Sequence, residues 1–131
     1  MKRIDISEKE YMVMMVFIHT IVHEDKSLRW KLQEYLPQHV ESEEKLDFLY
    51  DSILAFDTEK IRNLLPEEKL ILITFVGTIL VTWEKDSLFS DLCRENGVSF
   101  MKLAYIVFNA YNIERIENYW EERDDRVNDD R

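Results

Sequence analysis

The chain has 131 residues, a formal net charge of −10, 46% hydrophobic residues and 34% charged ones. That length fits one domain, and that much apolar material excludes a disordered body. A single cysteine, Cys93, excludes an internal disulfide and a cysteine metal cage, and it points to a reducing, cytoplasmic setting.

Two glycines and two prolines supply little turn chemistry. The expectation is therefore an all-α protein, a single compact domain of six or seven helices over residues 1–122, with 123–131 as a disordered charged tail. Near the start, Lys2 and Arg3 are followed by Asp5, Glu8 and Glu10, which does not read as a secretory leader.

Ser7-Glu8-Lys9-Glu10 has the form of a capping box, in which the serine caps the helix and the glutamate reaches back. The helix it opens runs to about His23, and Tyr11 to Val22 is so apolar that little of it can face water. Asp25 or Ser27 caps a second helix containing Leu28, Leu32, Tyr35 and Leu36, which Pro37 ends. Ser42 caps a third, with Leu46, Leu49, Ile53 and Phe56 on one face. Asp57 opens a short segment, Thr58 to about Leu64.

The central element spans residues 66–83. From Leu70 to Trp83, fourteen residues pass without a charge. This is shorter than the roughly 20 apolar residues a membrane span needs, so a buried core helix is expected. Pro66, Glu67 and Glu68 suit a helix start. Eight of the fourteen are Ile, Val or Thr, which also suit a strand. The helical periodicity on both sides favours helix. Asp86 or Ser87 then restarts the chain, Gly97 closes that helix, and Ser99 caps the last one, expected to reach about Glu122.

Asp91-Leu92-Cys93-Arg94-Glu95-Asn96-Gly97-Val98-Ser99, continuing to about Asn109, resembles the helix-turn-helix of bacterial repressors. The matching features are the small residue Cys93, the turn glycine Gly97, and Leu103 and Ile106 at packing positions. The resemblance covers about twenty of the 131 residues and implies a DNA-reading second helix. The residues that read bases are missing from it. Phe100, Met101, Ala104, Tyr105 and Phe108 stand where Arg, Lys, Asn or Gln belong, with Lys102 as the only base. A corner used for packing is the expectation, and nucleic acid is not the expected partner.

His19 and His23 lie four apart and share a helix face, so they are the metal candidates, with Glu24 and His39 as nominal further ligands. No Glu-x-x-His occurs, nor His-Glu-x-x-His, so no bound metal or other cofactor is expected. No Gly-x-Ser-x-Gly or phosphate loop is present either, which argues against an enzyme.

From Glu41 to Glu59 seven acids stand against one base, Lys45. Glu44, Asp47 and Asp51 form a stripe on the third helix, either a solvated face or a docking surface for a basic protein. Phe100, Met101, Tyr105 and Phe108 form an apolar strip on the last helix. The expected function is thus regulatory protein binding, as an inhibitor, immunity-type or adaptor protein, with a homodimer as one form of it. The alternatives are a helix-turn-helix transcriptional regulator and a histidine-metal enzyme, and no membrane association is expected.

Overall fold

The computed structural model describes residues 6–110, and every regular element among them is helical. The order is α1 (Glu8–Glu24), α2 (Lys26–Tyr35), α3 (Glu43–Ala55), α4 (Thr58–Arg62), α5 (Pro66–Trp83) and α6 (Asp86–Glu95). A final helix, α7, begins at residue 100 and fills the described residues to 110. The expected extent of the last helix to Glu122 and the charged tail 123–131 lie outside the described residues.

Local chemistry sets most of the helix boundaries. Ser7 Oγ accepts from the Glu10 backbone N–H at 3.1 Å, and Glu10 Oε1 accepts from the Ser7 N–H at 2.9 Å, completing the capping box of α1. Asp25, Ser42, Asp57 and Ser99 cap α2, α3, α4 and α7 through the same kind of bond. Leu65 has no polar side chain to cap α5, but its N–H donates to Glu68 Oε1 at 2.9 Å. Lys85, rather than Asp86 or Ser87, holds the N-cap position of α6, with no side-chain bond. Pro37 lies in a single 3-10 turn, Leu36–Gln38, that follows α2.

Two helices end in the same backbone motif. At α6 the Val98 N–H donates to Cys93 O at 3.0 Å and the Gly97 N–H to Arg94 O at 3.2 Å, with Gly97 at φ +69°. At α3 the Asp57 N–H donates to Ser52 O at 3.1 Å and the Phe56 N–H to Ile53 O at 3.2 Å. Here a phenylalanine, at φ +49°, takes the left-handed position that usually belongs to glycine.

The core is built on α1, which packs against α2, α3, α4, α5 and α6. Met14, Met15, Phe17 and Ile18 are fully buried there, meeting Leu28, Leu32, Leu49, Ile53, Phe75 and Phe89 from the surrounding helices. Phe17 and Phe89 lie 4.9 Å apart between ring centroids. Helix α5, expected at the centre, packs against this α1 hub; it is buried from Leu72 through Gly77 and again at Ile79 and Leu80. Its threonines satisfy themselves: Thr74 Oγ1 donates to Leu70 O, and Thr78 Oγ1 to Thr74 O. Its β-branched residues are helical because burial on several sides outweighs an intrinsic preference of a few tenths of a kcal/mol per residue. The last turn leaves the core, with Val81 54% and Trp83 38% exposed, so burial on every side holds for the middle of α5 and not for its end.

Candidate protein-docking faces

On α3, Leu49, Ser52 and Ile53 turn inward and the acidic stripe turns outward. Glu44, Asp47 and Asp51 are all exposed, and none has a basic partner among the described residues. The neighbouring base Lys45 reaches away to Glu68, at 3.6 Å. Between these carboxylates stands Phe48, 41% exposed, with Lys60 Nζ 5.6 Å from its ring centroid. Residues 44, 47, 48 and 51 are spaced i, i+3, i+4 and i+7, so the ring and the three carboxylates share one helix face. The sequence pattern picks out the acids but not Phe48, which reads there as one more apolar residue of an amphipathic helix.

The strip on α7 divides. Phe100 is half-buried and packs against Phe89, 5.9 Å between centroids, so it belongs with the core. Met101 is 74% exposed, Tyr105 69% and Phe108 39%. Leu103, Ile106, Val107 and Ala110 are the buried side. Lys102, the base on this helix, stays half exposed but is paired: its Nζ lies 2.9 Å from Oε2 of the buried Glu10. The Glu10 carboxyl is held below the usual carboxylate range, first by the Ser7 backbone N–H and then by Lys102, against the opposing effect of burial.

The two histidines come together, with ring centroids 4.4 Å apart. His19 Nδ1 meets the Ile53 carbonyl at 2.9 Å and His23 Nε2 meets the Leu54 carbonyl at 2.9 Å. A carbonyl only accepts, so each of these nitrogens carries the proton and donates. Both carbonyls belong to the last turn of α3, beyond the reach of the regular helical bonds; Ile53 O also accepts from the Phe56 N–H at 3.2 Å. Among the described residues no group of three or more His, Cys, Asp or Glu side chains is placed to hold a metal ion. His39 lies apart, its ring 4.3 Å from Tyr35. Cys93 is buried, which pushes its thiol pKa up and keeps it protonated.

A surface groove brings together residues that the sequence pattern does not single out. Lys26, Ser27, Trp30, Lys31, Glu34 and Trp83 line an open groove of about 450 Å³ between α2 and the end of α5. Trp30 is 65% exposed. Its place on the polar side of α2, away from Leu28, Leu32 and Tyr35, was the available signal. Trp83 was hidden by its position at the end of an apolar run.

No helix among the described residues is long and apolar enough to cross a membrane. Comparison with protein-family models, curated proteins and solved structures finds no match to this chain.

Proposed function

We propose that this protein is a small regulatory domain without catalytic activity, acting in the cytoplasm by binding another protein through the outward face of α3. The observation that carries this reading is Phe48 exposed among Glu44, Asp47 and Asp51, with those carboxylates unpaired among the described residues. An aromatic side chain on one helix face with three unpaired carboxylates combines an apolar anchor with electrostatic steering. The partner class is a protein with a basic surface and an apolar socket, in keeping with the net charge of −10. Repulsion between like charges along one helix costs a few tenths of a kcal/mol per pair, a cost that a docking role accounts for. DNA is the poorer fit, because the base expected to face it is engaged with Glu10.

The test uses the full-length chain as bait in an extract of its native cell, eluted with a salt gradient. A captured protein should leave early in the gradient, since surface charge pairing is screened by salt. Asp47→Lys with Asp51→Lys should lose that protein, and Phe48→Ala should weaken its retention at least tenfold. A partner held equally by wild type and by these variants, or retained nucleic acid in place of protein, contradicts the proposal.

A further inference from the structure

We propose that the Met101–Tyr105–Phe108 stripe of α7 packs against the same stripe of a second copy of this chain. The three side chains recur at i, i+4 and i+7, with the small, half-buried Ala104 between them, which is the spacing of a helix–helix seam. Behind the seam, Leu103 and Val107 are fully buried and Phe100 packs on Phe89, so the core fixes the helix that presents it. The exposed side is therefore a rigid apolar surface of aromatic and methionine side chains, a composition enriched at protein interfaces.

Charge selects the occupant. Residues 85–110 hold three bases, Lys85, Arg94 and Lys102, and three acids, Asp86, Asp91 and Glu95, so this part of the surface is locally neutral. By contrast, the segment 41–59 holds seven acids against one base. Two chains of net charge −10 meet with least repulsion at their neutral faces. The charge of Lys102, beside the seam, is paired with Glu10, and no residue from 100 to 110 is acidic, so α7 itself offers a basic partner no steering. A self-complementary patch about a two-fold axis satisfies these constraints with one kind of surface. Three side chains cover only a few hundred Å², below the roughly 800 Å² per partner of a standard interface, so the dimer should dissociate in the micromolar range.

Multi-angle light scattering and sedimentation equilibrium on the full chain, over a concentration series, test this. The mass should rise from monomer to dimer with concentration, and added salt should strengthen the dimer by screening the repulsion between the chains. Salt acts in the opposite direction on docking at α3, and Asp47→Lys with Asp51→Lys should leave the dimer in place, so the two proposals fail separately. Met101→Glu and Tyr105→Glu, each with the helical circular dichroism of wild type, should raise the dissociation constant at least tenfold. A monomer at every concentration overturns the inference, as does a dimer that neither variant weakens. Unfolding of both variants would place the stripe in the core and overturns it equally.

Discussion

Lys102 Nζ sits 2.9 Å from Glu10 Oε2, joining the start of α7 to the start of α1. The other oxygen of the same carboxylate accepts from the Ser7 N–H, so one side chain both caps a helix and anchors the helix-turn-helix-like corner. Glu10 is 8% exposed, which makes the pair more than a surface contact. It also sets the charge beside the exposed Met101, Tyr105 and Phe108, because the one cation of this helix segment is already paired.

Glu10→Gln should destabilise the protein at pH 7 by about 1–3 kcal/mol, the range for a hydrogen bond to a charged group. The Glu10 carboxyl lies below its ordinary value of 4.5, with the Ser7 N–H as the leading cause and Lys102 next. Its stabilising effect is therefore complete above the unfolded-state value and is lost as pH falls through the lower folded one. Urea unfolding of wild type and Glu10→Gln at pH 7 and at about pH 3 should show the gap narrowing on acidification. A gap independent of pH excludes this role for the carboxylate.

Lys102→Ala should cost stability and leave duplex DNA unaffected. Removing the ammonium leaves Glu10 only its capping bond, a loss of about 1–2 kcal/mol for a pair intermediate between exposed and buried. In a gel-shift series at physiological salt, wild type and variant should both fail to retard DNA selectively. Sequence-selective retardation lost in the variant would promote the transcriptional-regulator alternative.

The helix boundaries were legible because the signals are local. Ser7, Ser42, Asp57 and Ser99 each bond a backbone N–H three residues on, and Gly97 needs only its own positive φ. What escaped was set by residues distant in sequence. The carboxylate waiting for Lys102 stands in the first helix, and the carbonyls that occupy His19 and His23 stand in α3. The acidic stripe could be read from helical spacing, but whether Phe48 among it faced solvent depended on how α3 rolls against α1. Trp30 and Trp83 meet in one groove only because α2 runs beside the end of α5.

His19 and His23 should act as structural caps. Each donates to a carbonyl in the last turn of α3, so His19→Ala should cost about 1–2 kcal/mol. Asparagine places an amide nitrogen near the position of Nδ1, so His19→Asn should recover part of that loss. A strong chelator should leave the thermal midpoint of wild type unchanged. A large chelator-induced drop, or near-stoichiometric zinc or iron lost in His19→Ala and in His23→Ala, would support the metal alternative.

The end of α5 offers a route to a more stable protein. Glu84 occupies the left-handed region at φ 54° and ψ 51°, is exposed, and follows a last turn with no basic residue. A non-glycine residue pays about 1–2 kcal/mol for that conformation. Its carboxylate also faces the negative end of the helix dipole, at a further cost of roughly 0.3–1 kcal/mol. Glu84→Gly removes both penalties and adds about 0.5–1 kcal/mol of unfolded-state freedom. The net gain should be about 1 kcal/mol, raising the thermal midpoint by about 3–5 °C in a chain of this size. Glu84→Ala separates the two contributions, since it removes the charge and keeps the strain, and it should yield the smaller gain. Phe56→Gly, at the equivalent position after α3, should give no comparable gain because the Phe56 ring packs 5.2 Å from His19. Equal midpoints for wild type and Glu84→Gly would mean that the α5 terminus carries no strain that glycine relieves.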